Sequence, residues 1–332
     1  MNSRITNRMI SNNYLSNMKR NLFNLNTINN QLSTGKLINR PSDNPYKTAR
    51  SMQLTTSINS NAQYKTNIED ASNWLDATDD ALSSLTNVVQ RVRELMVSSG
   101  NAAYGSDESK SIAKEISERV SEITQILNTN FDGRYIFGGT KTTSKPVEAT
   151  SDLDRGTYSI NFIDKDGKII DTDSTDYKQN ILTEALSSKI GIEVSKGVNI
   201  DYNVTAMGVL KFRSDKGEYV DGLKLFDEIQ NNLLSGDMAD REEVVKENLT
   251  DLDSLISNIL NLRSEVGAKQ NRLESAGSKN RDETLNMTDV LSRTEDVDYT
   301  EKTIEYYQAQ TTYTAALQVN AQILPKTLLD YL

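Results

Sequence analysis

The sequence predicts a mainly α protein. Its N- and C-terminal arms form a long antiparallel helical bundle or coiled coil, and a small antiparallel β domain is inserted between them. Three observations predict this. Leu54, Asn61, Ile68, Leu75, Leu82, Val89 and Met96 recur every seven residues, with no Gly or Pro from 46 to 99. A second stripe spaced three and four apart, Leu249, Leu252, Ile256, Ile259, Val266 and Leu273, returns near the C-terminus with Arg263 and Gln270 completing it. Between about 140 and 221 the helical period gives way to short alternating runs separated by turn pairs.

The first helix is read over 13–34, from Leu15, Met18, Leu22, Leu25 and Leu32. Asn29 either completes that heptad seam or is exposed, with Ile28 carrying the seam instead. Gly35-Lys36 stops the helix. Asn39 to Pro45 is a rigid loop in which Asn44 is the expected N-cap and Pro45 suits the first helical turn. The helix over 45–99 would be roughly 80 Å long at 1.5 Å per residue, and Tyr64, Ala71, Thr78, Leu85 and Val92 form its companion row. Trp74 is expected in core or inter-subunit packing. Residues 107–129 repeat the theme through Ile112, Ile116, Val120, Ile123 and Leu127.

Asp132-Gly133 then marks a turn, and Gly138-Gly139 marks a bend leaving the helical stack. Strands are expected around Tyr158–Phe162, Ile190–Val194, Val198–Val204 and Leu210–Phe212. Helices resume at Leu223. The last one, from about 283, carries Tyr306, Ala309, Tyr313, Leu317, Ala321, Leu324, Leu328 and Tyr331, with a kink or break expected near 321–325 at Pro325. This gives three divisions: a terminal helical assembly domain (1–44 with 284–332), a long-helix bundle (45–137 with 222–283) and a β insert (138–221). The arms carry narrow stripes with few large apolar residues. They should order fully only against neighbours.

Composition narrows the chemistry. Of 332 residues, 36% are hydrophobic, below the usual ~45–50% of globular domains. The net charge of -10 argues against nucleic acid and against an anionic membrane surface as partners. The absence of Cys and His removes thiol nucleophiles, His-assisted dyads, the usual zinc ligands and disulfides. No apolar run approaches ~20 residues, so no membrane insertion is expected. The polar start Met1 to Arg8 has no apolar segment after it, so a cleaved secretory signal is not expected. A cytosolic location and export by a signal-independent route both stay open. Asp164, Asp166 and Gly167 only partly match a calcium loop, because Gly comes too early and Lys168 takes a ligand position. Paired acids such as Asp79-Asp80 read as solvated helix faces. No catalytic, cofactor or metal residues are assigned, and a structural protein is expected rather than an enzyme. A cytosolic coiled-coil scaffold and an enzyme using the Asp164–Asp173 cluster are the alternatives from other classes.

Four stretches carry a family resemblance. Residues 31–45, Gln-Leu-Ser-Thr-Gly-Lys-Leu-Ile-Asn-Arg-Pro-Ser-Asp-Asn-Pro, resemble the N-terminal signature of the flagellar hook-associated protein 3 family, the hook–filament junction proteins of the flagellin superfamily. Arg134 to Gly139 resembles that family's link into its variable domain, and Val266 to Glu274 resembles a segment shared with flagellins. Glu295 to Glu301 and the ending Leu328 to Leu332 resemble the family's C-terminus. The resemblance covers roughly 1–139 and 223–332 and leaves out the insert. It implies export through the flagellar type III apparatus without a cleaved signal. It implies a homo-oligomeric ring outside the cell, between the hook-side junction protein (hook-associated protein 1) and the flagellin filament. A cytosolic export chaperone would hold the C-terminal helix beforehand. On this reading the assembly interface is Leu15, Met18, Leu22, Leu25 and Leu32 in the N-terminal arm, with Tyr313, Leu317, Ala321, Leu324, Leu328 and Tyr331 in the C-terminal arm. A flagellin is the nearest alternative.

Overall fold

A computed structural model describes residues 7–100, 106–152, 155–171, 177–213, 217, 219–235 and 244–323. Two compact units emerge: residues 63–281, and residues 1–62 together with 282–332. Each is taken by itself below.

The helices are α1 (Asn7–Thr34), α2 (Pro45–Ser99), α3 (Ser106–Leu127), α4 (Tyr177–Ser187), α5 (Ala206–Leu210), α6 (Gly222–Ser235), α7 (Leu249–Glu295) and α8 (Tyr299–Ile323). A π-helical turn, Val244–Asn248, leads into α7. The strands are β1 (Asn130–Phe131), β2 (Arg134–Tyr135), β3 (Val147–Asp152), β4 (Thr157–Phe162), β5 (Gly191–Ser195), β6 (Val198–Asp201), β7 (Lys211–Arg213) and β8 (Tyr219–Asp221).

In the 63–281 unit both predicted rows of α2 turn inward. Leu75, Leu82, Val89 and Met96 from one row, and Ala71, Thr78, Leu85 and Val92 from the other, are almost fully buried. Opposite them lie Leu252, Ile259, Val266 and Leu273 of α7, while Ile116, Val120, Ile123 and Leu127 supply the buried face of α3. The stripe positions occupied by polar residues are used for cross-helix pairing. The Arg263 guanidinium meets the Asp79 carboxylate at 3.0 Å, and Gln270 Nε2 donates to Asp76 Oδ1 at 2.7 Å. Arg93 Nε donates to Asp253 Oδ1 at 2.6 Å. These pairs fix α2 and α7 as antiparallel neighbours. Trp74 is buried edge-on against Phe131 and Tyr202, with ring centroids 6.3 and 5.7 Å away. It therefore packs in this unit's own core.

The insert is antiparallel, and among the described residues it is assembled from separate two-stranded hairpins. Asp132 and Gly133 take positive φ (51° and 75°) and close β1–β2 in the two-residue manner that hairpin twist favours. β3 and β4 pair in register from Val147↔Phe162 to Asp152↔Thr157. Asp164 closes a plain β-turn, accepting Gly167 N at its carbonyl (3.0 Å), and its own N–H donates to Lys168 O at 2.8 Å. Helices α4 and α5 also lie within 140–221, where the sequence suggests only strands. Leu182 and Leu186 of α4 pack on the core, so that helix belongs to the insert's own fold. Thr205 caps α5 by accepting Gly208 N at 3.0 Å.

The C-terminal half departs from expectation at one further place. The sequence suggests that the last helix starts at about 283, but α7 runs unbroken past that point to Glu295. The row Leu252, Ile259, Val266 and Leu273 continues in step through Asn280 and Met287, and Gly277 is carried inside the helix. The chain turns later, at Asp296–Asp298. There Asp298 caps α8, its carboxylate accepting Thr300 N at 2.9 Å and Glu301 N at 3.2 Å.

Candidate assembly surface

In the unit made of 1–62 and 282–332, α1 and α8 lie side by side. Tyr14 Oη donates to Ala316 O near one end, and Gly35 approaches Tyr299 at the other, so the pair is antiparallel. The half-buried seam of α1 is Ser11, Tyr14, Met18, Asn21, Leu25, Ile28 and Leu32. That of α8 is Lys302, Tyr306, Ala309, Tyr313 and Ala316. Each is a heptad row. Among the described residues neither helix buries a side chain fully.

Ile28 is on the seam and Asn29 is exposed. Of the residues expected at the interface, Met18, Leu25, Leu32 and Tyr313 sit on this intramolecular seam. Leu15 (49% exposed), Leu22 (43%) and Leu317 (39%) lie off it and face solvent. Leu324, Leu328 and Tyr331, with Pro325 and its expected kink, lie outside the described residues, as does the side chain of Ala321.

Each helix therefore has a second, outward row. On α1 it runs Arg8, Asn12, Leu15, Lys19, Leu22 and Asn26, with Phe23 (71% exposed) beside it. On α8 it runs Thr300, Ile304, Tyr307 and Thr311; Ile304, Tyr307 and Thr311 line a shallow open groove of about 570 Å³ together with Gln308 and Thr312. Sequence reasoning missed Phe23, Ile304 and Tyr307. The signal was available: two apolar rows separated by one position on the same helix cannot both face one partner.

The chain enters and leaves this pair through an elbow. Gly35 ends α1 at φ 70°, and a Cβ there would approach Tyr299 Oη to 2.8 Å. Leu37 N donates to Glu295 O at 2.7 Å, and Val297 N donates to Gly35 O at 3.0 Å. The Glu295 carboxylate meets the Lys36 ammonium and accepts the Ser51 hydroxyl at 2.8 Å. Asp43 holds the following loop, accepting Arg40 N at 2.9 Å and Asn39 N at 3.2 Å. Asn44 caps α2 by accepting Lys47 N at 3.0 Å. Lys36, Asp43 and Asn44, all within the 31–45 stretch, thus each have a structural task at this elbow.

Lys36 first, then Ser51, hold Glu295 below the ordinary carboxylate range. A carboxylate lowered on folding stabilises fully above its unfolded pKa of about 4.3, and loses that contribution as pH falls through the folded value. The elbow is expected to loosen only in the acid range, below about pH 4, and Glu295→Gln should remove that pH dependence. The Leu37 and Val297 amide shifts, followed by NMR between neutral and acid pH, read this directly.

Among the described residues no group of Asp, Glu, His or Cys side chains is arranged to hold a metal ion, and no helix is long and apolar enough to cross a membrane. What the surface offers is packing: solvent-facing apolar rows on paired helices.

Comparison with known proteins agrees with that geometry. Residues 5–142 match the bacterial flagellin N-terminal helical region, and residues 249–332 match the flagellin C-terminal helical region. These matches define the class, a flagellar structural protein built on flagellin-type terminal helices. Flagellar hook-associated protein 3 of Escherichia coli (strain K12) is 25% identical over 296 residues, 86% of each chain. A flagellin of Clostridium tyrobutyricum is 24% identical over 374 residues, covering 96% of this chain and 99% of that one. The solved structure of a flagellar hook-associated protein from Vibrio parahaemolyticus has the same fold. It has a TM-score of 0.59 at 20% identity, covering 76% of this chain and 100% of that one. The chain belongs to the flagellin superfamily, in its hook-associated protein 3 family.

Proposed function

We propose that this chain is the structural adaptor of the hook–filament junction. It assembles as a homo-oligomeric ring, with hook-associated protein 1 on the hook side and flagellin on the filament side. The outward rows of α1 and α8 carry this reading. Paired helices with no fully buried side chain among the described residues and a second solvent-facing row gain most of their burial from neighbours. The terminal assembly domain, 1–44 with 284–332, supplies the contacts between subunits. The helix bundle of 45–137 with 222–283 and the 138–221 insert are the other two domains of this reading. The chain reaches the flagellum by type III export without a cleaved signal peptide, and a cytosolic chaperone covers the C-terminal helix before export.

The second reading is a filament subunit, favoured by the near full-length similarity to a flagellin. Purified protein seeded onto flagellar fragments separates the two. A junction protein adds a limited collar to hook ends and does not elongate, whereas a flagellin grows long filaments that lengthen with time. Elongation observed by electron microscopy would replace the first reading with the second.

A further inference from the structure

Strand edges inside the insert end on helices of the bundle. Among the described residues each sheet of the insert has two strands, and an isolated two-stranded hairpin is at best marginally stable in water. β4 pairs with β3 along one edge. At its other edge the backbone of Tyr158 meets side chains in place of a third strand. Tyr158 N donates to Ser117 Oγ of α3 at 2.9 Å, and Gln230 Nε2 of α6 donates to Tyr158 O at 3.1 Å. Ser117 and Gln230 are buried, so these bonds satisfy backbone groups that water does not reach.

The insert also holds both long helices. On α2, Asn67 Nδ2 donates to Glu193 O at 2.8 Å. Glu193 lies at the bulge of β5, where its carboxylate accepts Gly197 N at 2.8 Å and ties off the β5–β6 turn. On α7, Asn258 Nδ2 donates to Gly208 O and Val209 O, each at 3.0 Å, and so closes the end of α5. Two turns further along α7, Glu265 meets Lys269 at 2.8 Å and Lys189 of the insert at 3.9 Å. The apolar contacts are shared in the same way. Ile160, Phe162 and Val209 of the insert belong to one buried cluster with Leu75 of α2 and Ile259 of α7.

We propose that the insert is an internal brace. It folds together with α2, α3, α6 and α7, and its task is to hold the two long helices as one body, not to present a separate surface to a partner. The boundaries at 138 and 222 divide the sequence but not the packing. Without α3 and α6 the Tyr158 edge of β4 is open. Without the insert Trp74 loses the Tyr202 ring, and Asn67 and Asn258 lose the carbonyls they bond. Neither part is complete alone, so the 63–281 unit opens in one cooperative step. This role goes beyond the assembly reading, and its first test is independent of assembly.

Hydrogen exchange on the full chain tests the brace. Phe162→Ala removes a buried ring from β4, and Ile160→Val trims one buried methyl group from the same strand. The slow amides of α2 and α7, over 75–96 and 252–273, are expected to speed up by the same factor as those of β4, β5 and β6. That factor is ~100-fold or more for Phe162→Ala and about 2- to 10-fold for Ile160→Val. Acceleration confined to 140–221, with the α2 and α7 amides at wild-type rates, overturns the proposal in either variant. Ile160→Val decides alone if Phe162→Ala does not fold. A second arm separates a brace from a recognition surface. Ile169, Val198 and Tyr219 are exposed on the insert. A chain carrying Ile169→Ser, Val198→Ser and Tyr219→Ser is expected to add the same collar to hook ends as the wild type. A folded triple variant that forms no collar would make the insert a recognition surface and overturn the proposal. If the wild-type chain itself adds no collar, the junction reading fails, while the exchange experiment still decides the brace.

Discussion

Leu317→Asp is expected to abolish assembly while leaving the 63–281 unit folded. In the isolated chain Leu317 is 39% exposed on α8, beside the seam and not within it. A carboxylate there stays hydrated, and the cost to the isolated fold should be within about 0.5 kcal/mol. In an assembly that covers this face the same carboxylate would lose its water without a partner, a penalty of several kcal/mol per subunit repeated around the ring. Sedimentation reads the loss of assembly, and hydrogen exchange reads the fold. Protection should persist in 63–99 and 249–281, with any change confined to the terminal helices. A variant that loses protection in the central unit would refute the terminal-arm account. A variant that assembles normally would place Leu317 outside any interface.

Gly139→Ala should be among the most damaging single changes in the chain. Gly139 has φ 62°, and a Cβ there would sit 2.4 Å from Ala185 O and 2.7 Å from Leu186 O. Both neighbours are backbone at the end of α4, so neither can swing aside. Thr140 ties the same place, donating from its N–H and its hydroxyl to Ala185 O, each at 3.0 Å. Ile136, Phe137 and Leu186 lie fully buried around the bend. Left-handed strain and the forced shift together should cost ~3 kcal/mol or more. Gly133→Ala is the internal control. Its φ is also positive (75°), but nothing lies within 4 Å of the added atom, so the loss should be nearer 1 kcal/mol. Urea unfolding of the two variants side by side measures the difference.

These two sites also mark how far the sequence could be read. The Gly138-Gly139 bend and the Asp132-Gly133 turn were legible because left-handed backbone narrows the choice of residue so sharply. The rows of α2 were legible for another reason. Seven positions at one unbroken heptad spacing leave one solution, and Leu75, Leu82 and Met96 are accordingly at 0% exposure. Over the four heptads of α1 the same logic is ambiguous. Rows 14–21–28 and 15–22–29 both combine with Met18, Leu25 and Leu32. Only the position of α8 decides between them. Asn-rich positions such as Asn21 carry no hydrophobic vote either way. Helix α4 was hidden because it is short and its core contacts rest on Leu182 and Leu186. The continuity of α7 was hidden because Gly277 and the polar run after it resemble a stop, while the reason it continues is a buried Asn280 on the same row.

The polar pairs between α2 and α7 bear on a different property, resistance to sliding. Apolar rows that repeat every seven residues match again after a displacement of about 10.5 Å, so oil alone would let two such helices creep past one another a heptad at a time. Asp79 with Arg263 and Arg93 with Asp253 do not repeat at that interval. One heptad of slip in one direction sets Asp79 against Ile256 and leaves both guanidinium groups searching for partners. Each pair adds little to folding stability on its own, about 1 kcal/mol or less. As teeth between two shafts they act differently, because a pull along the helix axes must break them together before the apolar rows can re-engage.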